Sequence, residues 1–277
     1  MKLKIVQSIL LVFTVIGCMH ETHAHELFLK TDNYQPPSNS HQVIKVLNGT
    51  FYSSADPVSR SRINDVTIIG NDRRKVRLTS QNWSSDATTS FLQYQTGDAG
   101  TRVIAMSTKE NVLTKPRDMH IAHLKQAGNQ DLVDEFMNSR AQDATERYSK
   151  HARAIVQVGN EFTDHYSERL KDRIEIIPAQ NPYELHPGDR LSFQVLYKGK
   201  PAVNQYVRAS YEEKDNSQTG GASQKNKLDM RTDGDGRAML KIISEGAYYI
   251  STIYIEKAND PDVDYESNWA TLTFAIN

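Results

Sequence analysis

The chain has a single cysteine, Cys18, among its 277 residues. The remainder therefore has no disulfide framework, no thiolate metal site and no nucleophilic cysteine. Neither positive nor negative charge is in excess, because the formal net charge is −1. This balance argues against a nucleic-acid partner. After residue 24 no segment approaches the roughly 20 apolar residues of a membrane-spanning helix. The sequence predicts a folded chain without a transmembrane segment.

Sequence motifs of the common enzyme classes are missing as well. The chain has no Gly-x-Ser-x-Gly elbow, no His-Glu-x-x-His zinc helix, no phosphate-binding glycine loop and no dinucleotide fingerprint. Two catalytic alternatives stay open, since paired carboxylates on separate strands leave no local signature and a copper ion on an amino-terminal histidine could activate oxygen. We expect a protein that is not an enzyme.

The first 24 residues have the layout of a secretory signal peptide. A short basic start precedes an apolar run over 5–17, and a small-x-small cleavage site ends at Ala24. Cleavage there would release a periplasmic or secreted chain that begins at His25. Residues 15–18 also resemble a lipobox, and in that alternative Cys18 would be the lipid-anchored first residue. Both alternatives export the chain, and we favour cleavage after Ala24.

Histidines are the main candidate metal ligands. An amino-terminal His25 would offer its α-amine and imidazole nitrogen to one divalent ion, and such donors suit copper, nickel, zinc or cobalt. His120 and His123 are three apart on a predicted helix, where they could share a metal or form an exposed polar face. His41 would reach the amino terminus if the first two strands pair. His151 is a further candidate, or else a partly buried hydrogen-bonding residue.

Hydrophobic periodicity divides the chain after the signal peptide into three parts. Residues 25–115 show short strands with turn residues between them, and 173–277 show the same pattern. Residues 116–172 are predicted as a helical insertion and linker, with a break at Gly128 and a third helix over 144–158. The fold class is therefore mainly β, with two antiparallel, Ig-like or transthyretin-like β-sandwich domains and a small helical insertion between them.

An acidic cluster precedes the last predicted strand. It consists of Asp260, Asp262, Asp264 and Glu266. On an extended segment these side chains share one face, which would give an oxygen-rich patch for a hard cation. We favour the alternative of a solvated acidic edge that opposes strand pairing.

Several segments, in this order, resemble the domain-of-unknown-function family 4198. They are residues 24–28 (AHELF), 146–152 (ERYSKHA), 181–189 (NPYELHPGD), 196–201 (LYKGKP), 232–237 (TDGDGR) and 266–274 (ESNWATLTF). The resemblance implies an exported, metal-linked protein, because members are described as the periplasmic substrate-binding component of nickel or cobalt uptake. The carboxyl-terminal part also resembles the transthyretin-like or carboxypeptidase-regulatory-like sandwich.

Two functions are compatible with these observations. In the first, the chain is a periplasmic accessory protein that captures nickel, cobalt or copper through His25 and passes the ion to a membrane transporter. In the second, it is a non-enzymatic envelope module that recognises protein or glycan through surface loops, and the histidines are incidental.

Overall fold

The computed structural model describes residues 25–70, 75–214 and 226–277. This part of the chain forms the strands β1 (Glu26–Lys30), β2 (His41–Gly49), β3 (Ile63–Ile69), β4 (Lys75–Arg77), β5 (Trp83–Ser85), β6 (Ser90–Gln95), β7 (Gly100–Thr108), β8 (Asn111–Pro116), β9 (Asp143–Val158), β10 (Ile174–Pro178), β11 (Arg190–Tyr197), β12 (Lys200–Pro201), β13 (Tyr206–Glu213), β14 (Leu228–Arg231), β15 (Arg237–Lys241), β16 (Gly246–Lys257) and β17 (Tyr265–Ile276). The α-helices are α1 (Arg117–Gln126) and α2 (Gln130–Asn138).

The strands form a large sheet and two smaller ones. The large sheet has the order β14-β13-β16-β17-β9-β7-β3-β4, with β8 also paired to β9. One small sheet has the order β1-β2-β6-β5, and in the other β11 pairs with β10, β12 and β15. A single apolar core joins residues of all three sheets, including Leu29, Val46, Ile104, Phe193, Leu240 and Leu272. The predicted mainly β, sandwich-like fold is confirmed.

The third predicted helix is wrong, because residues 144–158 lie in strand β9. This strand runs parallel to β17 and antiparallel to β7 and β8. Its last seven residues, 152–158, are all buried. A strand covered on both faces loses the alternation of apolar and polar residues that distinguishes a strand from a helix. The favourable helix propensity of its alanine, glutamate and arginine residues is overridden by pairing on both edges.

Strand β9 also connects the two halves of the chain. It comes from the predicted insertion, yet it pairs with β7 from the predicted first sandwich and β17 from the predicted second one. The backbone groups of both neighbouring edges are satisfied by β9. Strands β3, β4, β7 and β8 of the first segment and β13, β14, β16 and β17 of the last segment therefore lie in one sheet.

Strand β1 fixes the beginning of the described chain in the core. It pairs antiparallel with β2, with Glu26 opposite Gly49. On its other edge the hydroxyl of Thr271 donates to the carbonyl of Leu27 at 2.6 Å, and Thr273 donates to the carbonyl of Leu29. These bonds tie β1 to β17, so the residue before β1 has a defined place in the fold.

The two helices form a hairpin that covers part of the large sheet. Their apolar residues pack on β16 and β17 in a cluster that includes Leu124, Val133, Phe136, Ile253, Ile255, Tyr265 and Trp269. The predicted break at Gly128 is present, with a positive φ of 67°. Neither helix, nor any other helix in the described residues, is long and apolar enough to span a membrane.

Candidate metal site and buried histidine cluster

His25 lies at the surface directly before β1, with its main chain held in place. Its carbonyl oxygen accepts a hydrogen bond of 2.6 Å from Lys150 Nζ, which also donates to Asn48 Oδ1 at 3.2 Å. Lys150 belongs to β9 and Asn48 to β2. The His25 side chain is exposed, and its imidazole makes no hydrogen bond with the part of the chain that the structure describes. The side chain is thus open to solvent.

The surroundings of His25 carry more positive than negative charge. Burial lowers the pKa of Lys150 to about 8, although the Glu26 carboxylate opposes this change and Arg62 adds to it. Glu26 is itself buried, and one oxygen lies 3.4 Å from Arg208 Nη1. Burial raises the pKa of Glu26, and Arg208 is the main charge that opposes this shift. The negative charge of Glu26, the one carboxylate among these groups, is therefore balanced by the positive charge of Arg208.

His41 lies far from His25. The first two strands pair as predicted, but His41 is eight residues before Gly49 on β2. At about 3.3 Å per residue, that spacing corresponds to roughly 26 Å. His41 instead pairs across to β6, where its Nε2 is 2.7 Å from Gln95 Nε2. Pairing of the strands does not bring His41 to the amino terminus.

His120 and His123 share a face of α1, as their spacing predicts, but this face is buried. The exposed fractions of the two residues are 0% and 3%, and their ring centres are 6.4 Å apart. The ring of His120 packs against Phe136 at 4.6 Å and Tyr265 at 4.5 Å. Neither of its nitrogens has a hydrogen-bond partner in the described residues. Burial lowers the pKa of His120 to about 4, so the ring is neutral at neutral pH.

Glu146 on β9 connects His123 to a buried polar cluster. It is fully buried and accepts hydrogen bonds from Lys115 Nζ at 2.6 Å, from Ser267 Oγ and from His123 Nε2 at 3.1 Å. Burial raises the pKa of Glu146, but the His123 hydrogen bond and the nearby positive charges outweigh it and bring the pKa to about 2. Because Glu146 is ionised, we assign the proton of His123 to Nε2.

Lys115 and Glu146 are not recognisable as members of one site from the sequence. Their partnership follows from the antiparallel pairing of β8 with β9. The signal in the sequence is the alternation of Ala144, Glu146 and Tyr148 along one face of a strand. That signal is lost when the segment is interpreted as a helix.

His151 has polar neighbours of its own, of which only Ser149 is a hydrogen-bond partner. Its Nδ1 is 3.3 Å from Asp172 Oδ1 and its Nε2 is 3.1 Å from Ser149 Oγ. Because neighbouring residues of a strand point to opposite faces, His151 faces away from Lys150 and His25. Across residues 25–70, 75–214 and 226–277, no three histidine, cysteine or acidic side chains are arranged as a metal site. Of the five predicted ligands, the structure leaves only His25 free at the surface beside β1.

The acidic cluster is engaged by arginines rather than arranged around a cation. Arg147 Nη2 lies 2.7 Å from Asp260 Oδ2, and its Nη1 lies 3.4 Å from Glu266 Oε1. Arg173 contacts Glu266 as well. Asp264 accepts a 2.7 Å hydrogen bond from the backbone of Thr145. These bonds stabilise the turn between β16 and β17.

Residues 22–256 match the family described as "Domain of unknown function (DUF4198)". The chain belongs to this family. The match contains His25, the start of β1 and the whole buried cluster around Glu146 except its β17 members. No curated protein is significantly similar to the chain.

Solved structures resemble the chain only distantly. One is the crystal structure of a tetra-tandem repeat in the extending region of a large adhesion protein, with 12% identity and a TM-score of 0.24. Another is the dimeric latent PorU of Porphyromonas gingivalis, with 12% identity and a TM-score of 0.20. A third is the three N-terminal domains of the bacteriophage RB49 Hoc protein, with 8% identity and a TM-score of 0.19. Each match covers 91% of this chain, but only 49%, 20% and 59% of the respective structures.

Proposed function

We propose that the exported chain, cleaved after Ala24, captures a divalent transition metal through the α-amine and imidazole of His25. Nickel, cobalt and copper are the candidate ions, and a membrane transporter is the candidate acceptor. The observation that carries this proposal is the position of His25. Its side chain is exposed, while its carbonyl oxygen is held by Lys150.

This arrangement suits a site that collects and releases an ion. Strand β1 holds the main chain, and the hydrogen bond from Lys150 occupies the carbonyl oxygen rather than either nitrogen donor. Two nitrogen ligands from one residue leave coordination positions open, whereas a closed four-ligand site retains its metal. An acceptor protein could therefore supply further ligands before the ion leaves His25.

The proposal uses fewer residues than the sequence suggested. His120 and His123 are buried beneath the helical hairpin, and a hydrated ion at the surface has no contact with them. We propose that His120 and His123 stabilise the helical hairpin instead. His41 and His151 have other partners at a distance from His25 or on the opposite face of β9.

The decisive experiment compares chains that differ only at the amino terminus. Protein purified from the periplasm would be sequenced from its first residue and titrated with Cu²⁺ and Ni²⁺ by calorimetry. A His25→Ala variant keeps the α-amine but removes the imidazole that completes the chelate, and we expect its affinity to fall by at least tenfold. His41→Ala is the matched control, because it removes an exposed but distant histidine, and we expect wild-type affinity.

Equal affinity in the His25→Ala and native chains would overturn the proposal. Lipidation at Cys18, detected by mass spectrometry, would do so too, because His25 would then be internal. Either result would favour the alternative of an envelope module that binds protein or glycan through its surface loops.

A further inference from the structure

Lys150 places a positive charge at a fixed position beside the proposed chelate. Its Nζ is 2.6 Å from the carbonyl oxygen of His25. Standard backbone dimensions keep the α-nitrogen of a residue within about 4 Å of its own carbonyl oxygen. The α-nitrogen of His25 is therefore within about 7 Å of Nζ, and an ion bound to it at about 2 Å would lie within about 9 Å.

The other charged groups near this position do not cancel the charge of Lys150. Arg62 acts on Lys150 with the same sign. Glu26 is the carboxylate that acts on Lys150, and Arg208 is paired with it. Asn48, the second acceptor of Lys150, is uncharged. A divalent ion at His25 would consequently be repelled by its surroundings.

We propose that the positive charge of Lys150 weakens the binding of every divalent ion at His25, so that at a given concentration of free metal copper(II) is the ion that still occupies the site. This inference rests on the proposed function. Repulsion by a fixed charge weakens the binding of every divalent ion in the same position equally. Affinity for nitrogen ligands increases from cobalt to nickel to copper, with zinc below copper. An equal reduction leaves the ratios of these affinities unchanged, but at a fixed concentration of free metal it empties the site of cobalt and nickel before copper.

The size of the effect follows from Coulomb's law. A unit charge and a double charge about 8 Å apart in water-like surroundings repel each other enough to weaken binding about fivefold, and partial burial of the ammonium increases this factor. Salt reduces the repulsion, because the screening length falls from about 10 Å at 0.1 M to about 3 Å at 1 M ionic strength. Dependence on salt distinguishes repulsion from a purely structural contribution of Lys150.

The test uses two variants of the mature chain that differ in charge. Lys150→Gln removes the charge but keeps a hydrogen-bond donor toward His25, and Lys150→Arg keeps the charge. Competition titrations with Cu²⁺, Ni²⁺ and Co²⁺ would be carried out at low and high salt. We expect Lys150→Gln to bind all three ions about fivefold more tightly at low salt, with the gain largely lost at high salt. Lys150→Arg should resemble the wild type.

A second variant addresses the same charge without altering Lys150. Asn48→Asp would place a carboxylate beside Nζ, and we expect it to raise metal affinity in the same salt-dependent way. Unchanged affinity in both Lys150→Gln and Asn48→Asp at low salt would overturn this inference. So would a wild-type chain that binds nickel as tightly as copper. A wild-type chain that binds none of the three ions would instead overturn the proposed function.

Discussion

The imidazole of His123 stacks on the indole of Trp269, with ring centres 5.1 Å apart and planes 13° from parallel. The same indole lies 5.7 Å from Lys150 Nζ and donates a 3.0 Å hydrogen bond to Ser267. Trp269 therefore contacts both the buried cluster beneath the helices and the lysine that holds His25. The Trp269 side chain thus lies between the helical hairpin and the proposed metal site.

The position of Trp269 predicts a fluorescence signal for metal binding. Copper(II) is paramagnetic, and an ion held by His25 would lie near the lysine that contacts this indole. In a Trp83→Phe variant, which leaves Trp269 as the only tryptophan, we expect saturable quenching on addition of Cu²⁺. A Trp269→Phe variant that retains Trp83 should show much weaker quenching. Equal quenching in the two variants would contradict a site beside Lys150.

Stability should fall with acidity because of His120. Its pKa is about 4 in the folded chain, against an unperturbed value of 6.5. Between these values the unfolded chain binds the proton more tightly, so the free energy of unfolding decreases as pH falls from 6.5 toward 4. The loss between pH 7 and pH 5 is about 2 kcal/mol. We expect urea unfolding curves of His120→Leu to show a smaller loss over this interval than those of the wild type.

The burial of the His120 ring could not be predicted from the sequence, although the face of α1 on which it lies could. The spacing of His120 and His123 places them on one side of α1, and Pro116 and Gly128 mark the ends of that helical segment. Whether this side faces solvent depends on Tyr265, which is far away along the chain and meets His120 only after β17 pairs with β9. The sequence therefore predicted the local geometry and left the environment open.

The same limit applies to the candidate metal site. Cleavage after Ala24 and the properties of His25 can be proposed from the sequence. The contact with Lys150 depends on strand β9, which the periodicity assigned to a helix. Its residues could be placed beside β1 and β17 only with the pairing known, because its second half, residues 152–158, is buried throughout and shows no alternation.

Glu146→Gln should destabilise the helical hairpin strongly. The substitution removes the negative charge that balances Lys115 in a buried site and turns an amide nitrogen toward one of its donors. Breaking one half of a buried ion pair costs about 3–5 kcal/mol. The measurement is the free energy of unfolding in urea at pH 7. A Lys115→Met/Glu146→Gln double variant should recover much of the loss, because the unpaired charge is gone.

The recovery in the double variant is the sharper part of this prediction. If the double variant were as unstable as Glu146→Gln alone, the bonds from His123 and Ser267 would account for the stability rather than the pair with Lys115. Acid should have a related effect in the wild type. Because the pKa of Glu146 is about 2 when folded and 4.5 without perturbation, its contribution is present above pH 4.5 and decreases as pH falls toward 2.

The helical hairpin also depends on Gly128. A comparison with Gly188 separates the effect of backbone strain from that of contact with Tyr206. Gly128 has a φ of 67°, and a Cβ there would lie 2.4 Å from the Tyr206 ring, whereas Gly188 has a φ of 102° with nothing within 4 Å. We expect Gly188→Ala to cost ~1 kcal/mol through backbone strain alone. Gly128→Ala should cost a further ~1–3 kcal/mol, because the ring must move. Equal losses in thermal or urea unfolding would show that the turn yields without disturbing Tyr206, and that the hairpin is not pressed against β13.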